Sequence, residues 1–131
     1  MIELGILADD VTGGMMVASL LEREGVECPL VSSVEALADI PSTATAVVVA
    51  RKIRLVDPVI AVDEAKQAVK ALQKLGCKRF YYKYCATFDS TEKGNIGPIA
   101  EAMLDTLGAS QTLFCPAFPV HTVTVFQGMM F

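Results

Sequence analysis

Two adjacent carboxylates stand where a predicted strand gives way to a predicted helix. Asp9 and Asp10 follow the apolar run 2–8 and precede Thr12 and Gly13. Neighbouring carboxylates repel each other unless a cation or hydrogen-bond donors compensate, and the sequence shows no obvious cation for them. A carboxylate here can bind a substrate hydroxyl or act as a general base, while small residues let a ligand approach the backbone. The alternative is that Asp10 or Thr12 only caps the following helix.

The same segment lacks the signatures of two phosphate-handling classes. A P-loop needs Gly-Lys-Ser or Gly-Lys-Thr after its glycine-rich turn, and neither follows here. The phosphatases of the haloacid type need two aspartates separated by one residue, whereas Asp9 and Asp10 are adjacent. Both classes are therefore excluded.

A longer polar segment follows another predicted strand, from Lys83 to Gly97. Its chemically useful side chains are Lys83, Thr87, Asp89, Ser90, Thr91 and Asn95. Hydroxyls and free N–H groups at a helix N-terminus can form a site for an anion or a polyol. Capping the next helix needs only one such residue, so the segment predicts a binding site.

Two further clusters follow strands. Arg51, Lys52 and Arg54 come after the valine-rich run 46–50, where an arginine can hold an acidic ligand with two hydrogen bonds or remain at a solvated loop edge. The segment 115–119 contains two prolines that stiffen it. The single histidine is assigned no role.

The four cysteines are predicted to be reduced. Cys28, Cys77, Cys85 and Cys115 contain no Cys-x-x-Cys pair, so their spacing supports neither a zinc site nor a redox motif. No metal site is predicted. Each cysteine lies beside apolar sequence, which is typical of a reduced cytoplasmic protein.

Strand and helix patterns alternate along the chain. Strands are predicted over residues 2–8, 26–31, 46–50, 79–84 and 111–115, with 122–126 as a further candidate, and helices over 13–24, 58–75 and 96–107. This order predicts an α/β domain with a predominantly parallel sheet and flanking helices, a Rossmann-like three-layer arrangement spanning residues 1–131. Ligands of such sheets bind beyond the carboxyl ends of the strands, where the polar clusters fall.

Composition limits the classes of protein to consider. The 131 residues are 53% hydrophobic and 20% charged, which excludes intrinsic disorder. The net charge of −4 is opposite to the balance that nucleic-acid binding needs. No apolar run approaches the roughly 18 residues of a membrane span, and the first residues lack the basic region of a signal peptide. We therefore expect a cytoplasmic domain with neither nucleic acid nor membrane as its partner.

Taken together, the motifs resemble the N-terminal domain of the four-carbon acid sugar kinases. The resemblance is carried by residues 9–13, 83–97, 115–119 and 127–128, of which Thr87–Thr91 followed by Gly94–Gly97 is the most specific part. It implies a two-domain, ATP-dependent enzyme. The N-terminal domain would bind threonate, erythronate or 3-oxotetronate, and the C-terminal domain would bind the nucleotide. The product would be the 4-phosphate.

Applied to this sequence, the resemblance implies a role for each candidate residue. Arg54 or Lys83 would pair with the substrate carboxylate, and Asp10 would be the catalytic base. The residues expected to bind the substrate are Asp9, Asp10, Arg54, Lys83, Asp89, Ser90, Thr91 and Asn95. ATP and Mg²⁺ are expected for the full-length enzyme and neither for this chain alone, which we expect to lack kinase activity. A homodimer is left open.

Two features of the sequence depart from the family pattern. Residues 121–124 replace a usual Asn-Gly-Arg-Thr-like stretch, and the apolar run 123–131 suggests a fragment with an uncovered patch.

Two other functions remain as alternatives. One rival function is a metal-dependent hydrolase or lyase using Asp9, Asp10 and Asp89 with Mg²⁺. Another is a non-catalytic sugar-acid-binding module.

Overall fold

A four-stranded sheet forms the centre of the fold. The computed structural model describes residues 2–88 and 91–131. The strands are β1 (Leu4–Ala8), β2 (Leu30–Val31), β3 (Ala46–Ala50) and β4 (Arg79–Lys83), and their spatial order is β2-β3-β1-β4. Every pairing within this sheet is parallel, which confirms the predicted α/β class.

The helices begin and end where the sequence places their caps. They are α1 (Val11–Arg23), α2 (Pro58–Leu75) and α3 (Ile96–Leu107). The Asp57 side chain accepts a hydrogen bond from the Val59 N–H at 2.8 Å, and Pro58 occupies the first helical position. Gly76 ends α2 with a φ of 102°, a left-handed conformation that glycine adopts without strain.

The helices cover both faces of the sheet and form three layers. Helices α2 and α3 pack on one face, and α1 packs on the other. The first core contains Leu7, Val47, Val49, Ala61, Ala65, Ala68, Val69, Leu72, Ile99 and Met103. The second contains Ile6, Ala8, Ala46, Val48 and Ala50, against which Val17, Ala18 and Leu21 of α1 pack. Neighbouring strand residues thus alternate between the two cores, as the period of a strand requires.

The predicted strand at residues 111–115 is wrong. This segment has no regular structure, and its Leu113 side chain is 94% exposed. It lies near the open edge of the sheet at β4, but Cys115 N–H donates to the Tyr84 hydroxyl at 3.1 Å instead of to a strand backbone. An apolar β-compatible sequence forms a strand only when its backbone hydrogen-bonds to a neighbouring strand. The strand predicted over 26–31 is likewise reduced to Leu30–Val31.

A small hairpin follows near the end of the described chain. Strands β5 (Val125–Phe126) and β6 (Met129–Met130) pair antiparallel and are separate from the main sheet. Phe126 is 66% exposed and Phe131 is 70% exposed. Apolar side chains of the run 123–131 are therefore exposed, as predicted, and a patch that other sequence would cover stays a prediction. Within the described residues, every helix is too short or too polar to cross a bilayer.

Candidate functional site

Three loops meet at the carboxyl edge of the parallel sheet. Ala8 is in register with Ala50 of β3 on one side and with Lys83 of β4 on the other. Because the strands are parallel and end level, the loops that follow them emerge side by side. The polar clusters at residues 9–10 and 51–54 and the start of the 83–97 segment therefore share one edge, as predicted.

Arg54 connects these loops through its guanidinium group. Its Nη1 lies 3.5 Å from Oδ2 of Asp10, and its Nη2 donates to the Thr87 hydroxyl at 3.0 Å. Arg54 is therefore the cation for the aspartate pair that was not obvious from the sequence. The strand order puts β3 beside β1, which brings Arg54 to Asp10. Thr87 belongs to the polar segment after β4, but it was not among the residues expected to bind the substrate.

Asp10 uses its two carboxylate oxygens differently. Oδ1 accepts a hydrogen bond from the Gly13 N–H and caps α1, so the capping interpretation is correct for this oxygen. Oδ2 faces Arg54, and the side chain is 27% exposed. The carboxylate is therefore held in one orientation while remaining partly accessible to solvent.

Lys83 adds a second cation beside the start of α1. Its side chain is 8% exposed, and its ammonium donates to the Tyr84 carbonyl. A Cβ atom on Gly13 would stand 3.5 Å from the Lys83 Nζ and 3.0 Å from the Asp10 Oδ1. Both charged groups therefore border the space that glycine leaves open, where the first amides of α1 also favour an anion.

Asp9 lies beneath this cluster and is 1% exposed. Its Oδ2 accepts hydrogen bonds from the Tyr82 hydroxyl and the Cys85 N–H, both at 3.3 Å. Burial and the charge of Asp10 raise the pKa of Asp9, although the two hydrogen bonds and Lys83 oppose that rise. The other oxygen, Oδ1, has no partner among the described residues.

Asn95 stands immediately before α3 and is 4% exposed. Its side-chain nitrogen donates to the carbonyls of Ile53 and Val56, both at 2.8 Å, and to that of Arg54 at 3.3 Å. Its Oδ1 is buried without a partner among the described residues. The side chain therefore faces the loop that carries Arg54.

The remaining candidates of the polar segment are less well placed. Asp89 and Ser90 lie outside the described residues. Thr91 is exposed, and its hydroxyl accepts a hydrogen bond from the Lys93 N–H at 3.3 Å within its own turn. Whether Asp89 shares a cleft with Asp10 thus stays a prediction.

Arg51 contacts neighbouring structural elements instead of Asp10. Its Nη2 lies 2.7 Å from Oε2 of Glu64 in α2, and its Nη1 donates to the Ser32 carbonyl at 2.8 Å. These contacts tie the end of β3 to α2 and to the chain after β2. Of the basic cluster after β3, Arg54 is the member that the structure places against Asp10.

An apolar cavity of about 470 Å³ borders the site on the α1 side. Its polar lining includes Lys83 and His121, and the rest comes mainly from α1 and residues 115–123. The His121 ring stands against Phe118 with 4.4 Å between ring centroids.

In the part of the chain that the structure describes, no three His, Cys, Asp or Glu side chains converge to hold a metal ion. No disulfide joins Cys28, Cys77, Cys85 or Cys115, and Cys115 is the exposed one.

Comparison with known proteins identifies the family. The family model of the sugar-binding N-terminal domain matches residues 4–131. The chain belongs to this family. This confirms the resemblance drawn from the strand-end motifs.

The curated relatives carry the name of a kinase. The 3-oxo-tetronate kinase of Pectobacterium atrosepticum is 44% identical over 131 residues, which are all of this chain and 31% of that protein. That of Escherichia coli K12 is 42% identical over 131 residues, again all of this chain and 34% of the relative. The chain thus spans about a third of the length of these relatives.

Solved structures share the fold. A protein of Salmonella typhimurium LT2 superposes with a TM-score of 0.93 at 38% identity over 99% of this chain and 31% of its own. A Haemophilus influenzae protein superposes with a TM-score of 0.87 at 38% identity, over 96% of this chain and 30% of its own. The Salmonella protein carries a provisional tRNA-synthase name, which differs from the names of the curated relatives.

Proposed function

We propose that this chain binds the substrate of an ATP-dependent kinase that phosphorylates a four-carbon acid sugar. The observation that carries the proposal is the guanidinium of Arg54, held between Asp10 and Thr87, while the Lys83 ammonium and the Asp10 carboxylate both border the space beside Gly13. Two cations at one sheet edge suit a ligand with a single carboxylate. The names of the curated relatives favour 3-oxo-tetronate, and threonate and erythronate share its chain length and charge.

The proposed pose follows from the charges. The substrate carboxylate contacts Arg54 or Lys83, and its hydroxyls reach Asp10, Asp89, Ser90 and Thr91. Asp10 would orient the 4-hydroxyl and take its proton as that oxygen is phosphorylated. A fixed and partly accessible carboxylate suits this role, since positioning is most of what phosphoryl transfer asks of the protein.

The nucleotide is assigned to the part of the relatives that this chain does not match. Within the described residues no three His, Cys, Asp or Glu side chains are grouped as metal ligands, and the sequence contains no P-loop. We therefore propose residues 1–131 as one acid-sugar-binding domain that works beside a nucleotide-binding domain. The kinase activity belongs to the two domains together.

A binding experiment tests the proposal. Calorimetry and thermal unfolding of the 131-residue chain are measured with threonate, erythronate and 3-oxo-tetronate, and with erythritol as the neutral control. At a hundred times its dissociation constant, a true ligand adds roughly 2.7 kcal/mol of stability. We expect the acids to bind and erythritol to bind far more weakly.

An Asp10→Asn variant and a metal series separate the alternatives. The variant should retain the fold, because an amide oxygen can still accept the Gly13 hydrogen bond, and should lose acid-sugar binding. Equal binding of erythritol and the acids would overturn the proposal. Metal-dependent consumption of an acid sugar without ATP would instead identify a hydrolase or lyase, and binding that survives loss of Asp10, Arg54 and Lys83 would identify a different binding module.

A further inference from the structure

The loop that carries Arg54 is hydrogen-bonded on both sides of its backbone. The N–H groups of Ile53 and Arg54 donate to the Asp9 carbonyl at 3.0 and 3.2 Å. On the other side, Asn95 donates to the carbonyls of Ile53 and Val56, both at 2.8 Å. Both groups that hold the loop are buried, so these hydrogen bonds are shielded from competition with water.

The orientation of the Asn95 amide follows from its surroundings. Three backbone carbonyls, from Ile53, Arg54 and Val56, surround the side-chain nitrogen. A flipped amide would place its oxygen against three carbonyl oxygens that repel it, and its N–H groups would lose these acceptors. The two N–H bonds of the amide are thereby committed to the loop. They are not available to sugar hydroxyls.

We propose that Asn95 is a positioning residue that aims Arg54 at the substrate carboxylate and does not contact the sugar. This inference rests on the proposed function. It assigns Asn95 a different role from the direct hydroxyl contact that the resemblance implied. The Arg54 guanidinium reaches Asp10 and Thr87 only while its backbone stays in place, and the Asn95 amide fixes that backbone from the start of α3.

The first test needs no ligand. The ¹H–¹⁵N signal of the Arg54 Nε is assigned by its loss in Arg54→Met and followed in Asn95→Ala. We expect the signal to shift toward that of a solvated arginine, because the guanidinium leaves Asp10 and Thr87. Thr106→Val is the matched control, since it removes the hydrogen bond from the Thr106 hydroxyl to the Ala102 carbonyl on the same helix, 2.7 Å long and away from the loop. Should Asn95→Ala fail to fold, Asn95→Ser keeps one donor and should show a smaller shift.

The second test is a double-mutant cycle with threonate and erythritol as the probes. Asn95→Ala should weaken threonate binding roughly tenfold, in line with losing a buried hydrogen-bonded contact. When Asn95→Ala is combined with Arg54→Met, it should cause little further loss of threonate affinity. Both variants remove the same interaction, the contact of Arg54 with the substrate carboxylate. Erythritol binding should hardly change.

The outcomes separate this inference from the proposed function. An unchanged Arg54 signal in Asn95→Ala, or additive losses that extend to erythritol, would overturn the positioning role and make Asn95 a direct ligand or a purely structural residue. If the unsubstituted chain binds none of the acids, the proposed function fails. The Arg54 signal then still decides whether Asn95 holds the loop.

Discussion

Charge balance at the carboxyl edge of the sheet depends on a few side chains with unequal access to solvent. Arg54 and Asp10 have side chains about 30% exposed, at 33% and 27%, whereas Lys83 and Asp9 are buried. The exposed pair contributes little to stability because water screens it, but it remains open to a ligand. The buried pair has lost hydration, so its electrostatic interactions are stronger.

Lys83→Met should weaken binding of a four-carbon acid by roughly 1.5 to 3 kcal/mol, the range for a hydrogen bond to a charged group. The substitution keeps the aliphatic length and removes the charge beside Gly13. Binding of erythritol should change less. Calorimetry measures both ligands, with Lys78→Met as the control because that exposed lysine precedes the opposite end of β4. Equal losses for the acid and for erythritol would show that Lys83 only supports the fold.

Asp9→Asn should change how stability depends on pH. The pKa of Asp9 is raised by burial and by Asp10 above its ordinary value of 3.8. Its protonated form therefore stabilises the folded chain below pH 3.8, and this contribution is lost as pH rises through the higher folded-state pKa. Asparagine cannot ionise, so the variant should gain stability relative to the unsubstituted chain over that interval.

Urea unfolding of both proteins from pH 3.5 to 7 measures this difference. The test compares the difference between their unfolding free energies at one pH with that difference at another. Its value at a single pH is not informative, because the amide also alters hydrogen bonding. A difference that stays constant over the whole interval would show that Asp9 has the same pKa in the folded and unfolded states.

At the scale of elements, the close approach of α1 to the sheet places the first turn of the helix beside the site. Gly14 permits this approach. A Cβ atom there would lie 3.0 Å from the Ala50 Cβ and 3.1 Å from the Leu30 Cδ1. The capping oxygen of Asp10 and the amides of α1 are thus positioned by packing against β3.

Gly14→Ala should destabilise the chain by about 1 to 3 kcal/mol. Alanine improves helix propensity by nearly 1 kcal/mol, but its methyl group overlaps the rigid surface of β3. Gly97→Ala is the matched control, since nothing lies within 4 Å of a Cβ at that position of α3. The control should stabilise the chain slightly in urea unfolding. If both variants gained stability, the packing of α1 on β3 would be looser than the structure shows.

At the scale of the whole molecule, the apolar surface is unevenly distributed. The main sheet is covered on both faces by helices, while the β5–β6 hairpin leaves Phe126, Met129 and Phe131 between 63% and 70% exposed. The edge of β4 is also without a partner strand among the described residues. Exposed apolar side chains and an open strand edge both favour association.

We therefore expect the 131-residue chain to self-associate as its concentration rises. Sedimentation velocity between micromolar and near-millimolar concentrations measures this. Phe126→Ser combined with Met129→Ser should reduce association, whereas Val59→Ser, which changes a 77% exposed residue of α2, should not. A single monomeric boundary over the whole concentration range would contradict the prediction.

Local sequence signals were enough to predict much of this fold. The cap at Asp57 with Pro58, the left-handed glycines after α2 and α3, and the range Ile96–Leu107 depend on interactions within one or two turns. The alternation of strands and helices was enough to predict a parallel sheet, because parallel neighbouring strands need a crossover connection, usually a helix. It also placed Asp10 and Arg54 after strands and Lys83 near the end of one, hence at one edge.

Only the tertiary structure decided which of these residues meet. The order β2-β3-β1-β4 brings Arg54 to Asp10, and the Asn95 amide meets the Ile53 carbonyl across 42 residues of sequence. The failure of the predicted strand at 111–115 has the same origin, since its residue types are β-compatible but no ladder receives it. Hydrogen bonds between distant segments depend on strand order and helix placement, which cooperative packing of the whole core determines and no local pattern encodes.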